Sequence, residues 1–209
     1  MPHLKTIKTR DGVLLFTEMT ESVSFLITRF PEALTDPQFN QITSYKRQQE
    51  WLAIRALLQT AGCRAEQLAY SESGQPRINH PEYAEISISH SDKLAGIFLH
   101  RSCPVGLDIE NRNRNFIRVE KKYLSPEERL LAGSIPDGHG LFWCIKEAVY
   151  KAAGIPGILF ADQIRIGSDQ NNKLTAKLIS NDKRSFEIQS FKMDDQLIVY
   201  VVAEAAFRR

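Results

Sequence analysis

Long apolar runs are missing from this chain of 209 residues. Nothing in it approaches the roughly 18 consecutive apolar residues of a membrane-spanning helix. The amino-terminal residues MPHLKTIKTRDG also lack the apolar core of a signal peptide. These absences predict a cytoplasmic protein with no membrane association.

Cysteine is scarce, and its spacing excludes two further classes. The three cysteines, Cys63, Cys103 and Cys144, are an odd number without the spacing of a zinc site. They indicate reduced thiols rather than a disulfide framework. The pattern GxxxxGK[ST] is also absent, which disfavours a conventional kinase or nucleoside triphosphatase. Low-complexity segments are absent as well.

What is present is the composition of an ordinary globular protein. Hydrophobic residues make up 43% and charged residues 25% of the chain, so it can bury a core without disulfides or structural metals. The net charge of +2 decides nothing as a total, and we expect no nucleic-acid partner. Its distribution is more informative, because five basic residues crowd one segment. They fit either an acidic partner or phosphate, or a solvated basic face: Arg112, Arg114, Arg118, Lys121 and Lys122.

The periodicity predicts a helix and antiparallel strands in each half of the chain. In the first half we expect strands at 13–16, 22–27, 86–90 and 96–99 and a helix over 41–60. In the second half we expect a helix over 141–154 and strands at 163–167, 174–179, 186–191 and 197–202.

The order of these elements suggests that one α+β unit occurs twice. The predicted fold class is therefore α+β with a pseudo-twofold duplication of a helix plus antiparallel sheet unit. A boundary near Pro104 would give halves at 1–104 and 105–209, and a single undivided domain is the alternative.

The helix predicted over 141–154 carries an unusual charged face. Its apolar stripe lies opposite Glu147 and Lys151, which stand one turn apart. Such a pair can be a solvated ion pair. The flanking Trp143 and Tyr150 instead favour the wall of a ligand site.

Two carboxylates follow each other on the strand that begins at Val105. Strand alternation places Gly106, Asp108 and Glu110 on one face. Asp108 and Glu110 could converge on a hard cation such as Mg²⁺, with Glu147 as a third oxygen ligand if its helix lies beside the strand. Gly106 would leave room for a ligand to approach the backbone. The alternative is a solvated acidic strand end.

A group that suits a phosphate ends an earlier predicted strand. Ser89, His90 and Ser91 together offer two hydroxyls and an imidazole as donors to an anion. A surface histidine without a catalytic role is the alternative. If the two halves pack with these ends facing, the site would combine the metal and cationic groups that phosphoryl transfer requires.

These motifs, in this order, resemble those of the 4′-phosphopantetheinyl transferases. The matching segments are Ser89-His90-Ser91, then Gly106-x-Asp108-x-Glu110, then Phe142-Trp143-x-x-Lys146-Glu147-Ala148-x-x-Lys151-Ala152. The two-half arrangement is similar to that of the monomeric, surfactin-synthetase-activating type, which serves peptide-synthetase and fatty-acid carrier proteins.

The resemblance implies a reaction and a set of partners. Mg²⁺ and coenzyme A would bind at the seam between the halves, and a serine of an acyl or peptidyl carrier protein would attack the β-phosphate of the coenzyme. The products would be holo-carrier protein and 3′,5′-adenosine bisphosphate. A noncatalytic protein of the same fold that binds coenzyme A or carrier is the alternative, and another Mg²⁺-dependent phosphotransferase or pyrophosphatase is a second one.

The resemblance also implies roles for individual residues. Asp108, Glu110 and Glu147 would bind the metal, and Glu147, directly or through water, would be the base for the serine. Lys151 would contact the pyrophosphate. The remaining coenzyme contacts would come from Ser89, His90, Arg47 or its neighbour Lys46, and Arg55.

Several positions qualify this assignment. Lys146 matches the signature and could either contact the coenzyme or orient the helix, and the same choice holds for Trp143. Gln75 stands in a Gly74-Gln75-Pro76 turn where the family often has lysine, which removes a cation from the 3′-phosphate contacts. Ser125 and Glu128 form a capping box that is structural.

Overall fold

The computed structural model describes residues 5–179 and 183–204. The helices are α1 (Val23–Arg29), α2 (Pro37–Asn40), α3 (Tyr45–Thr60), α4 (Pro126–Gly133), α5 (Gly138–Ala153) and α6 (Phe160–Gln163). The strands of the first half are β1 (Lys5–Lys8), β2 (Gly12–Glu18), β3 (Leu68–Tyr70), β4 (Pro76–Ile78), β5 (Glu85–His90) and β6 (Leu94–His100). Those of the second half are β7 (Val105–Asn111), β8 (Ile164–Ser168), β9 (Leu174–Leu178), β10 (Arg184–Met193) and β11 (Gln196–Ala203).

Antiparallel sheets and long helices make up the fold, which confirms the α+β class. One sheet has the strand order β1-β2-β6-β5, another has the order β7-β11-β10-β9-β8, and β3 and β4 form a separate pair. Helix α3 contacts β2 and β6 of the first sheet, while α5 contacts β7 and β11 of the second. Main-chain pairing in these sheets does not cross Pro104, and the division into 1–104 and 105–209 stays a prediction.

One predicted strand is wrong. The segment 22–27 forms the start of α1, and the Ser22 side chain caps this helix by accepting a hydrogen bond from the Phe25 amide. Val23 and Leu26 are buried whereas Phe25 is half exposed, which is the i, i+3 spacing of a helix. The alternation of Val23, Phe25 and Ile27 does not indicate a strand here, because in a short helix Phe25 lies on a different face from Val23 and Ile27. The other predicted elements occur within a few residues of their expected bounds, the helix predicted over 41–60 beginning only at Tyr45.

Strand β7 lies at the junction of the two sheets, and its side chains alternate as predicted. Val105, Leu107 and Ile109 enter an apolar cluster with Leu14, Phe16 and Phe98 of the first sheet. Gly106 faces α5, because a Cβ added there would lie 1.8 Å from the Ala148 carbonyl oxygen. The expectation that Gly106 leaves room for a ligand is therefore wrong: the helix itself takes the space, and this close approach brings α5 beside the carboxylates of β7.

The outer edge of β7 is covered by hydroxyl groups. The amides of Leu107 and Ile109 donate to the Oγ atoms of Ser87 and Ser89 on β5, at 2.9 and 3.2 Å. The Leu107 carbonyl accepts from the Lys151 ammonium at 2.8 Å. Side chains rather than a neighbouring strand thus satisfy these three main-chain groups, and they join the two sheets.

Placing a methyl group at Gly106 should therefore separate α5 from β7. We expect Gly106→Ala to lower the free energy of unfolding by at least the roughly 1–3 kcal/mol of an overpacked core, because the obstacle is backbone and cannot rotate away. Urea unfolding followed by circular dichroism measures the change. Gly133→Ala is the matched control, since no atom lies within 4 Å of a Cβ added at Gly133; equal stability of the two variants would contradict the packing described here.

Candidate active site

Asp108 lies at the centre of the polar groups at the sheet junction. It is 5% exposed, and its Oδ1 accepts from Lys151 Nζ at 2.8 Å and from Ser89 Oγ at 3.3 Å. Its Oδ2 is buried and has no hydrogen-bond partner among the residues that the structure describes. A buried carboxylate oxygen without a partner is costly, so this oxygen is a natural ligand for an added cation or donor.

Glu110, two residues further along β7, is held by Arg114 and Trp143. Its Oε1 accepts from the Arg114 guanidinium at 2.6 Å and from Trp143 Nε1 at 2.8 Å. Burial and the nearby Asp108 raise the pKa of Glu110. Trp143 therefore orients a carboxylate with its indole N–H and packs its ring against Tyr123, Phe116 and Phe160.

Glu147 projects from α5 toward the same two acids. Burial, and next the negative charge of Asp108, raise the pKa of Glu147 to about 7. Lys151, one turn later, bonds to Asp108 instead, so Glu147 and Lys151 do not form the i, i+4 ion pair that was the alternative to a ligand site. A carboxylate with a pKa near neutrality next to like charges can accept or release a proton at physiological pH.

The acids have the oxygen ligands that a divalent cation prefers, but they are not arranged closely around one point. The orphaned Asp108 oxygen and the repulsion felt by Glu147 are both relieved by positive charge, and carboxylate oxygens are the ligands that Mg²⁺ prefers. In the described ranges, however, no group of three or more His, Cys, Asp or Glu residues is gathered closely enough to hold a metal ion. The Lys151 ammonium, 2.8 Å from Asp108, supplies the positive charge at this point.

A cleft of about 360 Å³ opens beside these groups. Lys151, His90 and Ser87 supply its polar wall, and Tyr150 from α5 contributes an aromatic one, as the position of Tyr150 beside the charged pair suggested. The opposite wall comes from the turn that contains Gln75. Gln75 donates to the Lys151 carbonyl at 3.2 Å and accepts from Arg77 at 3.0 Å, so this turn is tied to the carboxyl end of α5.

The other residues predicted to bind the coenzyme lie in different surroundings. Ser89 is buried and its hydroxyl is used by Ile109, Asp108 and Lys151. Arg47 is exposed on the first turn of α3. Arg55 is 6% exposed with its guanidinium 3.3 Å from the centre of the Trp51 ring, and burial lowers its pKa. Neither arginine lines the cleft.

Lys146 has a structural environment. It is 0% exposed, and its Nζ donates to Glu128 at 2.6 Å and to the carbonyls of Phe160 and Ile164 at 2.9 and 2.8 Å. Three acceptors use all three N–H bonds of the ammonium. Of the two roles that the sequence left open, the geometry favours the orienting one. Glu128 also closes the predicted capping box with Ser125 at the start of α4.

Two residues of this site escaped sequence reasoning. Arg114 stands four positions after Glu110, a spacing that could have suggested the contact. Glu50 lies 3.2 Å from His90 Nδ1, and no motif near it signalled a role.

Comparisons with known proteins agree with the sequence motifs. The sequence model of one family, described as ACPS, the 4′-phosphopantetheinyl transferase superfamily, matches residues 104–202. A search of curated protein sequences gave no significant match. No helix in the described part of the chain is long and apolar enough to cross a membrane.

Two solved structures resemble about half of the chain. One is a holo-(acyl-carrier-protein) synthase from Bacillus anthracis str. Ames in complex with CoA (3′,5′-ADP), with 20% identity, a TM-score of 0.43, and coverage of 50% of this chain and 100% of that one. The other is the holo-[acyl-carrier-protein] synthase of Neisseria meningitidis, with 25% identity, a TM-score of 0.38, and coverage of 49% and 98%. The segment matched by the family model, residues 104–202, holds β7 and α5, which carry Asp108, Glu110, Glu147 and Lys151, and this segment is similar to the 4′-phosphopantetheinyl transferase superfamily.

Proposed function

We propose that the protein transfers the 4′-phosphopantetheine group of coenzyme A to a serine of an apo acyl or peptidyl carrier protein. The observation that carries this proposal is the meeting of Asp108, Glu147 and Lys151, all within the matched segment, where Lys151 and His90 both line one cleft. Carboxylates, a lysine and an imidazole at one point are the groups that phosphoryl transfer from one oxygen atom to another requires.

The reaction exchanges one phosphorus–oxygen bond for another. The carrier serine oxygen bonds to the β-phosphorus of coenzyme A, and the bond from that phosphorus to the 3′,5′-adenosine bisphosphate breaks. We assign Glu147 to take the serine proton, directly or through a water molecule, because its side chain lies among the other charged groups of the site. Lys151 and His90 would hold the charge that develops on the phosphate oxygens.

The proposed metal is Mg²⁺, held by Asp108, Glu110 and Glu147. When bound, it would supply positive charge to the pyrophosphate oxygens. Two residues then need new partners: Lys151, which is now paired with Asp108, and Arg114, which is now paired with Glu110. The Lys151 ammonium would be released toward the cleft that it already lines.

Transfer is tested by mass. Purified protein, an apo-carrier, coenzyme A and Mg²⁺ should together give a carrier heavier by one phosphopantetheine. Reactions without coenzyme A or with excess EDTA should leave the carrier unchanged. No mass shift across a panel of acyl and peptidyl carriers would refute transfer. Coenzyme A binding without transfer would then indicate a noncatalytic protein, and phosphate release without carrier would indicate a different phosphotransferase or pyrophosphatase.

We further propose that the chain acts as a monomer in the cytoplasm. The two sheets that flank the site come from one chain and are joined by the Ser87 and Ser89 hydroxyls. Free thiols at all three cysteines are consistent with a reducing compartment. Service to fatty-acid synthesis or to peptide synthetases would follow from the preferred carrier in the panel.

The basic segment that ends in the 3₁₀ helix Ile117–Lys122 is the proposed docking surface for the carrier. Arg118 and Lys122 are exposed, and Ile117, in the same segment, is 60% exposed and offers an apolar centre. Arg112 and Arg114 are instead paired with Asp137 and Glu110. Charge at the exposed positions would attract an acidic carrier and speed its encounter.

Reversing that charge should weaken binding of the carrier and leave binding of the coenzyme unchanged. We expect Arg118→Glu with Lys122→Glu to raise the KM for the carrier by about tenfold at low salt, with a smaller effect at high salt because surface charges are screened. The matched control, Lys8→Glu with Arg10→Glu, makes the same change of charge at exposed positions at the end of β1 and in the turn that follows it. Carrier kinetics that are equal in the two variants would contradict the docking surface.

A further inference from the structure

A carboxylate from α3 contacts the histidine of the cleft from behind. Glu50 Oε1 lies 3.2 Å from His90 Nδ1, and the Glu50 side chain is only 12% exposed. Lys46, one helical turn before Glu50, has its Nζ 3.9 Å from the same oxygen. This contact ties the last residue of β5 to the helix that packs on the first sheet.

The contact decides which nitrogen of His90 faces a ligand. Because the Glu50 carboxylate lies against Nδ1, the Nε2 atom is left to serve the cleft that His90 lines. Glu50 also stabilises the state in which both nitrogens carry hydrogen, and only that state gives Nε2 an N–H to donate to an anion.

The charges around His90 act on its protonation in both directions. The His90 side chain is 43% exposed, so the burial that lowers its pKa is only partial, and the cations Lys151 and Lys46 lower the pKa further. Glu50 and Asp108 act in the opposite direction, with Glu50 the stronger of the two. Asp108 is already bonded to Lys151, so Glu50 is the acid that favours the imidazolium directly.

We propose that Glu50 is a positioning residue that fixes the His90 ring through Nδ1 and keeps Nε2–H available for a phosphate oxygen of the ligand in the cleft. This inference rests on the proposed function for the identity of the ligand, coenzyme A. It does not require that a carrier be modified, because the contact acts on anion binding.

Three variants separate orientation from charge. Glu50→Gln keeps a polar side chain of the same length beside Nδ1 and removes the negative charge, Glu50→Asp keeps the charge on a shorter side chain, and Glu50→Ala removes both. Glu66→Gln is the matched control, since Glu66 is exposed and pairs with Arg64 at 2.8 Å. Thermal melts show whether each variant is folded.

Nuclear magnetic resonance titration of the His90 ring is the first measurement. We expect Glu50→Gln to shift its midpoint to lower pH than in the wild type and Glu50→Asp to restore part of the difference. The control should leave the midpoint unchanged. An unchanged midpoint in Glu50→Gln would overturn the proposal, whether or not the wild type modifies a carrier.

Calorimetry with coenzyme A, and with inorganic pyrophosphate as a second probe, is the other measurement. Loss of one charge-assisted hydrogen bond should weaken binding by about tenfold at pH 7 in Glu50→Gln and by more in Glu50→Ala. The deficit of Glu50→Gln should shrink as the pH falls and His90 becomes protonated without help. Affinities equal to the wild type at all pH values would overturn the proposal. A wild type that binds both probes but modifies no carrier would refute the proposed transfer alone.

Discussion

A Glu147→Gln protein is expected to transfer phosphopantetheine about 10²–10⁴-fold more slowly than the wild type, which is the usual loss when a general base is removed. Glutamine has nearly the shape of glutamate but cannot take the serine proton. We expect a comparable loss in Asp108→Asn, because Asp108 holds Lys151 and offers its second oxygen to a cation. Single-turnover mass spectrometry of the carrier measures both rates.

The stability of the Glu147 variant should move in the opposite direction. The pKa of Glu147 is raised from about 4.5 to about 7 in the folded chain, so the native state retains a proton that the unfolded chain has lost. The contribution of Glu147 to stability therefore falls as the pH rises from 4.5 to 7 and stays low above 7. In EDTA, we expect Glu147→Gln to be more stable than the wild type above pH 7.

A control variant and the opposing result complete this test. Glu187→Gln alters an exposed carboxylate on β10, and both its transfer rate and its pH dependence should match the wild type. Wild-type turnover in Glu147→Gln would show that another group takes the proton. Reduced stability of Glu147→Gln above pH 7 would show that Glu147 makes an attractive contact that outweighs its burial and the nearby negative charge of Asp108.

Truncating Lys146 should have the largest effect on folding. Lys146→Ala leaves Glu128 as a buried carboxylate without its cation, and such a loss destabilises proteins by about 3–5 kcal/mol. The Phe160 and Ile164 carbonyls also lose their donor. Urea unfolding should show the change.

A double variant distinguishes this role from contact with the coenzyme. Lys146→Met with Glu128→Gln removes both charges and should recover part of the lost stability, although the Ser125 and Ile166 amides still need the acceptor at position 128. If Lys146→Ala instead weakened coenzyme A binding without loss of stability, the ligand role of Lys146 would be the correct one.

The elements that sequence patterns predicted best are those with one buried face. Helix α5 was predicted because its apolar stripe is continuous, and β7 because its residues alternate between Val105, Leu107 and Ile109 and the polar set. The segment 22–27 could not be judged in the same way. It is too short to distinguish the two-residue period of a strand from the 3.6-residue period of a helix. The signal that favours the helix is the Ser22 cap. The role of Gly106 was also out of reach, since it depends on a helix more than 40 positions away.

Candidate site residues could be predicted as types but not as partners. Asp108, Glu147 and Lys151 were singled out by their motifs, yet the sequence does not show that Lys151 pairs with Asp108 rather than with Glu147. Nor does it show that the Ser89 hydroxyl accepts a hydrogen bond from the Ile109 amide at the sheet junction, or that Arg55 is buried against Trp51. Each of these contacts joins elements far apart in the chain, so it is fixed by the packing of the sheets and not by local spacing.

The hydroxyl-covered edge of β7 has a consequence for self-association. A strand with unpaired amides and carbonyls at the end of a sheet can recruit a strand from another molecule and so begin aggregation. Here the Leu107 and Ile109 amides are occupied by Ser87 and Ser89, and the Leu107 carbonyl by Lys151. The serine side chains thus occupy the amides to which a strand from another molecule would pair, and they do so without lengthening either sheet.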